Sequence, residues 1–247
     1  MTDDEKYVRA HLAELSKRSN ARCTWTYSEF LTLAEQDIVC RENTENFALW
    51  GGYDGAERKL AVFGSVELCG YAGDIPISIV KVQPASKKFA DKLTHRDYLG
   101  ALMSMGIKRN TVGDISVGED YALIVCLDSV MRYICDNLIQ IKHTAVKCTQ
   151  TDEIPGLTED AEPEEFLISS ERIDGIISAV YKMSRSDSKA ITEQGKVFVN
   201  SRLCTSPSAI PAEDCIISVR GFGRFKYLGV NRQTKKGKLS VKAILYR

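Results

Sequence analysis

A chain of 247 residues with 33 basic and 33 acidic side chains is neutral overall, and 44% hydrophobic residues is an ordinary globular composition. The length suits one large domain or two to three small ones and buries an ample core. No apolar run approaches the roughly 18–20 residues that cross a bilayer, which excludes a helical membrane span.

The acidic start MTDDEKYV has no apolar targeting core, so a cytoplasmic protein is expected. Thr2 and Glu5 are spaced as a capping box for a first helix with Val8, Leu12 and Leu15 on its apolar face. The run Lys17 to Arg22 reads as a polar, basic break. Thr32 and Glu35 can cap a second helix reaching about Arg41, with Ile38 and Val39 inward. Phe47–Trp50 and Lys59–Phe63 read as strands joined across a glycine-rich loop from Gly51 to Gly55. Such a loop could cradle phosphate, but no Gly-Lys-Ser/Thr follows and no helix opens on it, so a plain hairpin or turn is expected.

From Ile75 the pattern runs strand (Ile75–Val82), helix (Thr94–Met105), strand pair (Asp114–Val117 and Tyr121–Cys126), helix (Ser129–Gln140) and strand (Thr144–Cys148). That order is the ferredoxin-like unit also used by RNA-recognition domains, although the stacking aromatics of a true RNA-recognition motif are missing from Asp114–Val117. His95-Arg96-Asp97 mimics a kinase catalytic loop, but Leu102 stands where that loop needs a metal-binding asparagine. Asp97 instead suits the first turn of a helix. His95 and Arg96 near that start, with Lys108 and Arg109 beyond its end, form a candidate second RNA surface. Residues 151–165, TDEIPGLTEDAEPEE, carry seven carboxylates and two prolines and read as a solvated hinge. The eight cysteines (Cys23, Cys40, Cys69, Cys126, Cys135, Cys148, Cys204, Cys215) are scattered without a C-x-x-C pair. Reduced core thiols are expected, with no metal or other cofactor.

The segment from Phe166 onward holds fifteen basic and six acidic residues, a net +9 in a neutral protein, and no carboxylate follows Asp214. A polyanion would meet it as a basic lobe, and RNA is the expected partner. Ile173, Ile176, Ile177 and Val180 recur at helical spacing, Ser184 can cap a helix from Arg185 to Gln194, Gly195 ends it, and Lys196–Asn200 alternates as a strand.

Arg172-Ile-Asp174, Ser184-Arg185, Ala190-Ile191, Gly195 to Asn200 and Ile216 to Gly221 resemble the S-four RNA-binding domain. The resemblance implies RNA contacts for the matching Arg172, Ser184, Arg185 and Lys189. Lys196, Arg202, Arg220, Arg224, Lys226, Lys235, Lys236 and Lys238 complete the candidate set. Ser201 stands where that family usually has glycine, and Asp214-Cys215 where it has Gly-Asp, which leaves those two turns open.

Phe30 to Gln36, Gly51 to Arg58 (GGYDGAER), His95 to Leu102, Gly106 to Arg109, Gly113 to Ile115, Gly221 to Phe225 and Thr234 to Lys238 resemble the YlmH family over nearly the full length. The resemblance implies a cytosolic, non-enzymatic protein that binds ribosomal RNA on the large ribosomal subunit beside peptidyl-tRNA, in rescue of stalled ribosomes. It also brings a cell-division label. A monomer without a membrane partner or small-molecule substrate is expected. The rival readings are an RNA-modifying enzyme of the pseudouridine synthase or methyltransferase type, and a cell-division adaptor. The expected fold class is α+β: an N-terminal helical and hairpin region (1–70), a ferredoxin-like, RNA-recognition-like domain (71–150), an acidic linker (151–165) and a C-terminal S-four RNA-binding domain (αL motif) with basic C-terminal strands (166–247).

Overall fold

A computed structural model describes residues 3–41, 47–86, 91–154, 162–234 and 237–246. Thr2, Lys235, Lys236 and linker residues 155–161 lie outside the described residues. The chain divides into two compact units, Met1–Leu157 and Thr158–Arg247.

In the first unit α1 (Asp3–Arg22) runs through Lys17 to Arg22, the stretch whose composition reads as a break. Lys, Arg and Ala there are good helix formers, and two contacts hold the turn. The Ser19 hydroxyl, buried, donates to the Thr24 carbonyl at 2.7 Å, and Thr26 Oγ1 donates to the Leu15 carbonyl at 2.9 Å. The chain turns away only at Cys23, whose φ is 49°. After β1 (Thr26–Tyr27) comes α2 (Leu33–Arg41), entered through its expected capping box: Thr32 N–H donates to Glu35 Oε2 at 2.6 Å and Glu35 N–H to Thr32 Oγ1 at 3.4 Å. β2 (Phe47–Trp50) and β3 (Leu60–Phe63) pair antiparallel in a three-stranded sheet of order β1–β3–β2, and α3 (Val66–Cys69) is one turn capped by Ser65.

β4 (Ile77–Pro84), α4 (His95–Ser104), β5 (Val112–Val117), β6 (Ala122–Leu127), α5 (Asp128–Asn137), β7 (Gln140–Ile141) and β8 (Thr144–Thr151) follow. Their sheet has the order β5–β6–β4–β8–β7, antiparallel throughout. This is the ferredoxin-like arrangement with β7 as an added edge. Alternation along β4 sends Val80 and Val82 toward Leu102 of α4 and Ile134 of α5. It sends Ile77 and Ile79 the other way, where with Val125 and Leu127 they pack on Phe30, Leu60 and Val62. The opposite face of β3 meets α1 and α2 through Leu12, Leu15, Val39, Ala61 and Phe63. Residues 1–70, expected as a separate region, thus share a core with the ferredoxin-like sheet. They occupy part of the helix-free face on which RNA-recognition domains stack bases.

The first strand of the second unit, β9 (Glu164–Ile168), takes in Glu164 and Glu165, the last two residues of the stretch that composition assigns to the hinge. It pairs with the last strand, with Lys242 opposite Glu165 and Val241 opposite Phe166. The Glu165 carboxylate accepts from Asn231 at 2.9 Å, Ser240 at 3.1 Å and Arg232 at 3.3 Å, partners supplied only by the folded sheet. Then come α6 (Ile173–Val180), α7 (Arg185–Glu193), β10 (Val197–Val199), β11 (Arg202–Cys204), β12 (Cys215–Val219), β13 (Gly223–Gln233) and β14 (Leu239–Tyr246). The six strands run β11–β10–β12–β13–β14–β9. Ile173, Ile176, Ile177 and Val180 are buried against Ile217, Val219, Phe225, Tyr227 and Val241, each burial contributing about 1.5–3 kcal/mol.

Both turns that depart from the S-four pattern form. Asn200 (φ 47°) and Ser201 (φ 64°) occupy the left-handed region that a type I′ hairpin requires of both central residues, and Asp214 takes φ 59°. Asn200 Oδ1 accepts from Ile216 N–H at 2.8 Å, which fixes the turn against β12. Asn and Asp tolerate this region better than serine does. Ser201→Gly is therefore expected to raise stability by about 0.5–1 kcal/mol. Urea unfolding reads this directly, and a loss would show that the serine hydroxyl stabilises the turn.

All eight cysteines are unpaired; Cys23 and Cys40 are exposed rather than in the core. Burial pushes the Cys126 and Cys148 thiols up to about 12.

Candidate nucleic-acid interface

Two of the S-four residues, Arg172 and Arg185, converge on one buried carboxylate. Arg172 precedes α6 as its N-cap and Asp174 lies in its first turn, where the helix dipole favours a negative charge. The loop before β12 seals this end, since Ile173 N–H donates to the Ala209 carbonyl at 2.9 Å and Asp174 N–H to the Pro207 carbonyl at 3.2 Å. The Asp174 side chain is 4% exposed. Its Oδ1 accepts from Gly175 N–H at 2.9 Å, and its Oδ2 accepts from Arg172 Nη2 at 3.3 Å and Arg185 Nε at 3.2 Å. Its own carbonyl accepts from buried Ser188 Oγ at 2.8 Å, which ties α6 to α7. Arg185 Nη2 also donates to Ser170 Oγ at 3.3 Å.

Two guanidinium groups are thus held side by side by one carboxylate, while their side chains stay 40% and 47% exposed. Their planar forks match phosphate oxygens in shape and charge. Ser184 works as the cap of α7: its hydroxyl accepts from Asp187 N–H at 3.1 Å and donates to Asp187 Oδ2 at 2.6 Å. Lys189, one turn on from Arg185 and on the same helix face, is exposed, with Glu193 3.8 Å away. Exposed Lys182, not in the predicted set, stands in the link between the helices with φ 53°.

The rest of the predicted set lies elsewhere on this unit. Exposed Lys196 and Arg220 are joined by the Arg220 N–H to Lys196 carbonyl bond at 2.9 Å, and Arg224 and Lys226 follow on the outward side of β13. Lys226 sits 3.1 Å from Asp214. Arg202 opens β11, and Lys238 is exposed beside β14. Arg172, Arg185 and Lys189 therefore mark a helical edge and Lys196, Arg220, Arg224 and Lys226 the outward face of the sheet. Arg202, opposite Val199, lies on the other side of the sheet at its edge.

On the first unit the candidate second surface is split. Arg96 and Lys108 are exposed and His95 is half-buried, whereas the Arg109 guanidinium donates to the Val112 and Gly113 carbonyls. Asp97 caps α4 by accepting from Thr94 N–H at 2.8 Å. The Lys142 ammonium 2.8 Å away, together with Thr94, holds its carboxyl down at about 2.

The GGYDGAER loop and the Gly113-Asp114 pair explain each other. Asp114 Oδ2 accepts from Tyr53 Oη at 2.8 Å and Glu57 N–H at 2.7 Å, and its Oδ1 accepts from Arg58 N–H at 3.2 Å. Arg58 continues inward, with Nη2 donating to the Phe30 carbonyl at 2.7 Å and Nε to the Val112 carbonyl at 3.2 Å. Burial lowers its pKa from the usual arginine value. A Cβ on Gly51 would lie 2.4 Å from the Ala56 Cβ and 2.5 Å from the Arg58 carbonyl oxygen, so the loop closes only around glycine. This is a structural lock around Asp114, which the sequence places in a strand and in the Gly113–Ile115 match to the family but gives no partner. A lone aspartate between glycine and isoleucine carries no local signal, because its partners lie 56 to 61 residues away.

Three similarities bear on this arrangement. Residues 72–154 match the family whose description reads "Putative RNA-binding domain in YlmH". The chain is 32% identical over 221 residues to the ribosome-associated protein quality control protein P2 of Bacillus subtilis (strain 168), covering 87% of this chain and 84% of that protein. Its fold is similar to that of the cell division protein ylmH from Streptococcus pneumoniae, with a TM-score of 0.50 at 15% identity over 61% of this chain and 93% of that one.

Proposed function

Because this chain belongs to the YlmH family, we propose that it is a ribosome-associated RNA-binding protein acting in quality control of stalled ribosomes, without chemistry of its own. It binds structured RNA of the large ribosomal subunit and contacts peptidyl-tRNA there. The observation that carries this reading is the pair Arg172 and Arg185, clamped by buried Asp174, with exposed Lys189 one turn on from Arg185 along α7. Such a surface suits the phosphates of folded RNA, whose spacing is set by shape rather than sequence. Both oxygens of Asp174 are engaged by neighbours, which favours a positioning role over a nucleophilic one.

If about five phosphates are neutralised, affinity for ribosomal RNA is expected to fall a few hundred-fold between about 50 and 200 mM salt. Arg185→Ala with Lys189→Ala removes two of those contacts and is expected to weaken binding and flatten the slope by about two. Filter binding across a salt series measures both quantities. An unchanged slope in the double variant would remove the helical edge from the interface.

A further inference from the structure

The outward face of the C-terminal sheet carries a second arrangement. Strand register sets Leu203, Phe198, Ser218, Arg224 and Tyr246 in one row across β11, β10, β12, β13 and β14. Their strand neighbours Val197, Ile217, Val219 and Phe225 are buried toward α6, so the two-residue alternation points the row away from the core. The Arg220 guanidinium lies 4.6 Å from the centre of the Phe198 ring, and that of Arg224 4.9 Å from the centre of the Tyr246 ring. Phe198 and Tyr246 stand three strands apart, about 14 Å at about 4.8 Å per strand. Lys196 and Lys226 flank them, with Asp214 set against Lys226.

Ring and guanidinium planes on a sheet face are what unpaired bases stack on, whereas a duplex hides its base faces. The helical edge offers the guanidinium forks of Arg172 and Arg185 and the ammonium group of Lys189. We propose that the outward face of this sheet is a second RNA surface that takes an unpaired RNA segment, with bases stacking at Phe198–Arg220 and at Tyr246–Arg224. It rests on the RNA-binding reading of the chain and adds a distinct class of substrate.

The test uses the full chain with two labelled RNAs, an unstructured alternating cytidine–adenosine strand and a stable hairpin. Phe198→Leu with Tyr246→Leu is expected to lose about tenfold or more for the unstructured strand while hairpin affinity stays within about twofold. Arg185→Ala with Lys189→Ala is expected to do the reverse. Should the ring variant fold poorly, Arg220→Gln with Arg224→Gln carries the same expectation without touching the packed side of the sheet. Equal affinity of variant and parent for the unstructured strand overturns the proposal, and so does an equal loss on both RNAs. A parent chain that binds neither RNA overturns the RNA-binding reading itself, which separates the two failures.

Discussion

Asp114→Ala is expected to destabilise the first unit by about 3 kcal/mol, the largest effect of any single polar substitution proposed for it. One carboxylate accepts from Tyr53 Oη and from the Glu57 and Arg58 N–H groups, and all three bonds are partly buried. Hydrogen bonds to a charged acceptor contribute about 1.5–3 kcal/mol each, but water can reach part of the site, so their full sum is not expected. For a unit of this size the melting midpoint is expected to drop by about 6–12 °C. Asp114→Asn keeps the shape but presents an amide donor to one of the N–H groups, so it is expected to cost nearly as much. Thermal and urea unfolding followed by two probes checks this, and a loss below about 1 kcal/mol would show that the loop holds without its anchor.

Asp174→Asn separates charge from geometry at the helical edge. It raises the local charge by one, so a surface that binds RNA by charge alone would bind more tightly. The clamp argument gives the opposite sign. Without the carboxylate, Arg172 and Arg185 repel each other and lose their fixed orientation, and re-immobilising each costs about 0.5–1.5 kcal/mol. Affinity for ribosomal RNA is therefore expected to fall about tenfold despite the added charge. The stability loss is expected to stay near 1–2 kcal/mol, below the cost of breaking a fully buried pair, because both guanidiniums keep access to water. Tighter binding by the variant, measured in the same filter assay, would defeat the clamp argument.

Much of the local structure is readable one element at a time. The buried stripe of α6 follows from Ile173, Ile176, Ile177 and Val180 at helical spacing, and the boxes at Thr32/Glu35 and Thr94/Asp97 mark the helix starts they cap. The strand–helix order from Ile77 to Thr151 names the ferredoxin-like unit before any pairing is known. Composition misleads where it competes with contacts made far along the chain. Lys17 to Arg22 reads as a break until Ser19 and Thr26 are seen tying the turn down. Glu164 and Glu165 read as linker until Asn231, Arg232 and Ser240 surround Glu165.

The basic set shows the same limit. Sequence counts fifteen cations after Phe166 but cannot divide them, because side chains far apart in order share a face only through strand register. Arg172 and Arg185 meet because Asp174 is buried between two helices; Phe198 and Tyr246 align because four strands pair without a slip across that row. Periodicity, capping and charge content are properties of neighbouring residues, so the amino-acid order by itself determined the elements, the ferredoxin-like order and the basic character of the C-terminal unit. Which face each cation occupies, which carboxylate anchors the GGYDGAER loop and what covers the helix-free side of the first sheet depend on contacts across tens of residues. Only the tertiary structure decided those, because burial and register are collective and no local stretch encodes them.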